Sequence, residues 1–185
     1  MTTMTKLDTF LAREARVSAT VRSLKKFLVA VDGSDHSLRA VRYVGSVLRD
    51  APDVSVTLFH VLKPMPRELL EHGGSEDPTV ENRLARELQQ EQEDWVRAES
   101  AKESPMLVMA AELLGKCGFP SDRVRMKFGR EDDIANNILD EARAGGYGTI
   151  VLSRHGLNGR KRFFGGGITD RLLREASGLV LWVVD

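Results

Sequence analysis

Apolar residues recur along this chain with two alternating habits, short near-continuous runs and a three-to-four helical spacing. Phe27-Leu-Val-Ala-Val31 is an apolar run rich in β-branched residues that stops at Asp32-Gly33-Ser34-Asp35. That pattern predicts a buried strand followed by a turn. Ser34 or Asp35 is expected to N-cap the next helix, where a side-chain oxygen accepts the free amides of the first turn. Leu38, Val41, Val44, Val47 and Leu48 follow at helical spacing, and the helix should end near Asp50, ahead of Pro52. A second strand is predicted over Val54 to Leu62, apolar on both faces in its C-terminal half, as a strand covered by helices must be.

Residues 79–103 are strongly charged and lack Gly and Pro, with Leu84, Leu88, Trp95 and Val96 as sparse apolar positions. They predict a helix with a wide solvated face. Ser104-Pro105 is expected to kink or break it before Met106 to Leu114 continue, and Gly115 and Gly118 offer stop signals. Val124 to Phe128 alternates and reads as a third strand. A helix with Ile134, Ile138 and Leu139 inward follows, then a fourth strand at Thr149 to Leu152. A Gly-rich loop runs from Arg154 to Gly167. A helix carrying Ile168, Leu172, Leu173 and Ala176 and a final strand at Leu179 to Val184 complete the series. Strands alternating with helices predict an α/β fold, an open parallel five-stranded sheet with helices on both faces (Rossmann-like). Residues 1–24 differ. Leu7, Phe10, Leu11 and Ala15 share a helical face, so they form either a short helical extension or a tail on a single domain at 25–185.

Composition narrows the class. The 185 residues hold 27 Lys plus Arg against 27 Asp plus Glu, and one Cys. A lone Cys117 supports no disulfide framework and points to a cytoplasmic location. No apolar run approaches the roughly 20 residues of a membrane span, and the N-terminus lacks the apolar core of a secretory signal. A net charge of zero argues against bulk electrostatic binding to nucleic acid, and neither nucleic acid nor membrane is expected as a partner. The balance hides a basic Gly-rich loop at 154–162 and an acidic helical stretch at 81–103.

In open parallel sheets, ligands bind beyond the carboxyl ends of the strands, near the point where strand order reverses. Two loops have suitable chemistry. Asp32, at the end of a buried strand, reads as a ligand group for a ribose hydroxyl or a metal, with turn capping as the alternative. Asp35 reads as a helix cap. In the second loop Gly156, Gly159, Gly165, Gly166 and Gly167 let main-chain amides approach a ligand, and the following helix offers free amides and a positive dipole end. Arg154, His155, Arg160, Lys161 and Arg162 add positive charge. That suits phosphate, and a solvated basic loop is the alternative. Neither a Walker A pattern nor a Gly-x-Gly-x-x-Gly after the first strand occurs. His60 reads as a packed, hydrogen-bonded side chain, and nothing near Cys117 forms a nucleophilic triad.

Three pieces in order carry a resemblance to the universal stress proteins. They are Phe-Leu-Val-Ala-Val-Asp-Gly-Ser (27–34), Leu-Phe-His-Val-Leu (58–62), and Leu-Ser-Arg-His-Gly (152–156) with Lys-Arg-Phe-Phe-Gly-Gly-Gly-Ile-Thr-Asp-Arg-Leu-Leu (161–173). Nucleotide-binding members carry Gly-x2-Gly-x9-Gly-(Ser/Thr) in the last loop. Here the aligned residues are Ser153, Gly156, Gly166 and Gly167. The resemblance implies that Ala30 and Asp32 serve the adenosine side and Val61 the adenine. It gives Ser153, Gly156, Gly166 and Gly167 the phosphate loop, and Thr169 a supporting role. The Ser153 β-carbon can crowd a ribose, and Gly167 has no hydroxyl to donate, so the phosphate loop is degenerate. The implied function is a stress-response protein that binds ATP, with Mg²⁺ accompanying it, and that is not an enzyme. The alternatives are a homodimer joined through the C-terminal strand that acts on protein partners without nucleotide, and a slow ATP-hydrolysing enzyme.

Overall fold

The described strands are β1 (Lys26–Ala30), β2 (Ser55–Val61), β3 (Val124–Gly129), β4 (Thr149–Ser153) and β5 (Val180–Val184). They form one sheet, with every pairing parallel and the order β3-β2-β1-β4-β5. The structure, a computed structural model, describes residues 23–71, 76–130, 133–154 and 167–185. The N-terminal extension expected at 1–24 therefore lies outside the described residues except for Ser23 and Leu24.

Parallel neighbours need crossover connections, and four helices supply them. These are α1 (Asp35–Leu48), α2 (Pro78–Lys116), α3 (Ile134–Ala144) and α4 (Ile168–Glu175). Strand alternation sorts the side chains to two faces. Phe27 and Val29 of β1, with Val31 just beyond it, join Val56 and Leu58 of β2 under α1 and α2, where Val41, Val44, Leu107, Ala110 and Leu114 pack. Leu28, Phe59, Ile150 and Leu152 face the other way and meet Ile138 and Leu139 of α3 and Leu172 of α4. Burial on both faces is why β1 and the start of β4 read as unbroken apolar runs. The α/β architecture is the one expected, with strand ends shifted by a residue.

The helix starts follow their side chains. Ser34 is the N-cap of α1 and accepts from Ser37 N at 3.1 Å. Asp35, expected as a possible cap, is instead the first helical residue. Asp77 caps α2 with Pro78 at its first position, where the missing amide costs nothing. The break expected at Ser104-Pro105 is absent, because α2 runs unbroken for 39 residues through Pro105. Pro105 is exposed, and two turns that follow it are pinned by the fully buried Leu107, Ala110 and Leu114. That packing holds the helix across the one bond a proline removes.

At the end of β3 the backbone itself is the packing surface. A β-carbon on Gly129 would lie 1.7 Å from Asn137 Oδ1 and 2.6 Å from Phe59 Cζ. Gly129 therefore lets α3 close onto β2. Replacing it with alanine forces the buried Asn137 and Phe59 side chains to shift, at a cost of about 1–3 kcal/mol. Urea unfolding of Gly129→Ala should show that loss, and an unchanged midpoint would contradict this packing.

Candidate functional site

The strand order reverses between β1 and β4. From β1 the chain leaves into α1 on one face of the sheet, and from β4 it returns through α4 on the other. A crevice at the carboxyl ends of those strands is the usual result.

Alternation places several expected residues on one surface there. Ala30 and Val61 both pack at the margin of the α3–α4 core. Asp32 follows two residues beyond the carboxyl end of β1. Ala30, Asp32, Val61, Ser153 and Thr169 are all half-buried, and Gly167 is exposed. The Thr169 hydroxyl makes a long contact, 3.5 Å, to the carbonyl of Ser153. This ties the first turn of α4 to the end of β4. Gly167 is the N-cap of α4, offers no side-chain cap, and has open space where a β-carbon would sit. Gly156 and Gly166 lie outside the described residues, as do His155 and the basic run at 160–162.

Asp32 has a structural duty beside any ligand. Its Oδ1 accepts from Ser34 N at 3.0 Å and from Ser34 Oγ at 2.6 Å. Ser34 in turn caps α1. The chain of bonds fixes the carboxylate at the mouth of the crevice, where Gly33 turns with a φ of +78°. Both readings of Asp32 draw on the same geometry, because an anchored carboxylate still has acceptor capacity.

His60 is hydrogen-bonded, as its apolar surroundings implied, with Nδ1 2.8 Å from the Val31 carbonyl. Among the described residues no three His, Cys, Asp or Glu side chains gather as a metal group.

Sequence reasoning missed one element of the site. Arg171, on α4, pairs with Asp133, donates to Asn136 Oδ1 at 2.8 Å and reaches Glu175 at 2.9 Å. Asp133 is the N-cap of α3 and accepts from Asn136 N at 3.0 Å. One guanidinium thus joins the starts of two helices that border the crevice. The i, i+4 spacing of Arg171 and Glu175 was legible, but Asp133 is 38 positions away. Backbone donation from Asn136, then Arg171, holds the Asp133 carboxyl below its ordinary value of 3.8. Asp133, then Glu175, raise Arg171 above its own.

The family model for the universal stress protein family matches residues 23–183. The chain belongs to the universal stress protein family. Solved members share its fold. A universal stress protein determined in complex with cAMP has a TM-score of 0.62 at 16% identity, with 88% of this chain and 98% of that one covered. The universal stress protein UspA from Lactobacillus plantarum has a TM-score of 0.58 at 17% identity, covering 86% and 97%. The universal stress protein from Archaeoglobus fulgidus in complex with dAMP has a TM-score of 0.53 at 19% identity, covering 86% and 97%. No curated protein matches the chain at a significant level. At these identities the likeness carries the fold.

The Asp133–Arg171 clasp makes a pH prediction for this family member. A carboxyl whose folded-state value is lowered contributes stability that is present above 3.8 and lost as pH falls through the folded-state value. Arg171 stays protonated throughout that range, so the acid limb isolates Asp133. Asp133→Asn keeps a helix cap and removes the charge. Denaturant unfolding should find it less stable than the parent at pH 7, with the gap closing below about pH 4. An equal gap at pH 7 and pH 3 would contradict the clasp.

Proposed function

We propose that this universal stress protein binds an adenine nucleotide, ATP by preference, in the crevice between β1 and β4. The observation that carries the reading is the grouping of half-buried Ala30 and Val61 on one surface at the carboxyl end of the sheet, with half-buried Asp32 just beyond β1 and the start of α4 tied to Ser153. Asp32 accepts from ribose hydroxyls, Ala30 and Val61 contact the base, and the α4 amides behind Gly167 face the phosphates. Gly156 and Gly166 belong to the same phosphate loop by their place in the family motif. Mg²⁺ arrives on the phosphates of ATP. The cAMP and dAMP complexes of its structural relatives support adenine as the base. The role is that of a binder in the cytoplasm whose occupancy is the signal, and no step of hydrolysis is assigned to its residues.

Ligand that binds only the native state raises its stability by RT ln(1 + [L]/Kd), about 2.7 kcal/mol at a hundredfold excess over Kd. Thermal denaturation with millimolar ATP and Mg²⁺ should show a rise in Tm that Asp32→Ala diminishes. Gly167→Ser tests the reading in the opposite direction. The open space at Gly167 admits a hydroxyl, and one added hydrogen bond to a phosphate is worth a roughly fivefold or greater gain in affinity. No shift with the parent protein, and none restored by Gly167→Ser, would refute nucleotide binding.

A second reading has its own observation. β5 is an edge strand with Val180 43% and Val183 41% exposed, and Tyr43 on α1 is 49% exposed beside Trp182. Exposed apolar edges invite strand addition. The occupant we propose is β5 of a second copy, which makes a homodimer able to present protein partners with one continuous sheet. Sedimentation should give a dimer that Val183→Lys converts to monomer, whereas a parent protein that stays monomeric at high concentration would refute it.

A further inference from the structure

The face of the sheet that α3 covers carries a second concavity, at the amino ends of the strands. Leu28 of β1 and Phe59 of β2 face the α3–α4 core. Alternation puts the residues two places earlier, Lys26 and Thr57, on that same side. Ser55 pairs in register with Lys26, Arg125 of β3 with Thr57, and Lys127 with Phe59. All of them therefore look toward the end of α3, which stops at Ala144. With Glu141, Gly145 and Tyr147 they line a cleft of about 290 Å³.

The walls of the cleft follow from two residues after α3. A β-carbon on Gly145 would lie 2.1 Å from Tyr147 Cε2, so the glycine lets the tyrosine ring fold against the end of the helix. The Tyr147 hydroxyl then donates to Thr57 Oγ1 at 3.1 Å. Because that oxygen accepts, the Thr57 hydroxyl keeps its own hydrogen to donate. Lys26 Nζ donates to the Gly145 carbonyl at 3.1 Å, and Lys127 Nζ to Glu141 Oε2 at 2.6 Å. Arg125 is exposed and makes no hydrogen bond or ion pair among the described residues.

Lys26, Arg125 and Lys127 thus meet the single carboxylate of Glu141, an excess of two positive charges. A phosphate monoester carries close to two negative charges at pH 7. The planar fork of a guanidinium matches two phosphate oxygens at once, and Arg125 has that fork unspent. Cations on an edge strand also deter strand pairing, but that duty calls for no concave, hydroxyl-lined surface. The volume sits at the lower bound of ligand cavities, about 300 Å³, which suits a small monoester rather than a nucleoside triphosphate.

We propose that this cleft is a second ligand site, in which Arg125 and Lys26 hold the phosphate of a small phosphate monoester. The crevice between β1 and β4 opens at the carboxyl ends of the strands, so the two sites lie at opposite ends of the sheet and the proposal stands apart from the nucleotide reading.

Amide chemical-shift titration of the full chain with glycerol 2-phosphate at pH 7.5 tests it. Saturable shifts should gather at residues 26, 55–57, 125–127 and 145–147. Arg125→Gln, at an exposed position, should fold as the parent does and bind about tenfold more weakly. Lys26→Gln should also weaken binding, and Glu141→Gln, which removes the opposing charge, should tighten it about threefold. Shifts that sodium chloride reproduces at matched ionic strength would overturn the site, as would an Arg125→Gln protein that binds like the parent. So would the lack of any saturable shift at these residues. A phosphoserine peptide that binds at least about tenfold more tightly than glycerol 2-phosphate would overturn the small-molecule assignment in favour of a protein partner.

Discussion

The reversal of strand order between β1 and β4 is the constraint on which the site depends. Because α1 and α4 lie on opposite faces of the sheet, the chain leaving β1 and the chain leaving β4 diverge. Ligands of open α/β sheets bind where such chains diverge. The side chains at the ends of three neighbouring strands can then line one surface. Asp32 just after β1, Val61 at the end of β2 and Ser153 at the end of β4 are far apart in sequence, and the parallel ladders of β1 with β2 and β4 align those strand ends.

Around the crevice, polar bonds do what apolar packing cannot. The cores on either face fix the sheet, but they give no orientation to its last residues. Asp32 is oriented by Ser34, the start of α4 by Thr169 against Ser153, and the starts of α3 and α4 by Asp133 and Arg171. His60 replaces a ladder rung with a side chain at the point where β1 must leave β2. Each of these is a polar contact on a half-buried rim, where a hydrogen bond is worth about 1 kcal/mol. The rim is therefore adjustable at modest cost while the sheet beneath it stays fixed.

Much of this was legible in the sequence. The continuous run at 27–31 and the alternation at 124–128 identified their strands because burial leaves a period in the residues. Asp32 stood out because it ends a buried strand. The length of α2 was less visible, since Pro105 suggests an interruption and only the packing of Leu107, Ala110 and Leu114 against the core overrides it. Asp133 and Arg171 escaped notice because nothing local marks a pair that close only when two helices meet. The cap at Ser34 rather than Asp35 was undecidable from residue type, as both side chains can accept the same amides. The two departures in the glycine loop were visible at once. Gly167 proved to have room for the hydroxyl it lacks.

The central claim is that an adenine nucleotide occupies the crevice between β1 and β4. Amide chemical-shift mapping of the full chain during titration with ATP and Mg²⁺ tests it most directly. The account predicts saturable shifts concentrated at residues 30–34, 61, 153–154 and 167–169, with β3 and the outer face of α2 unmoved. Shifts centred elsewhere on the molecule, or none at millimolar ATP, would contradict it.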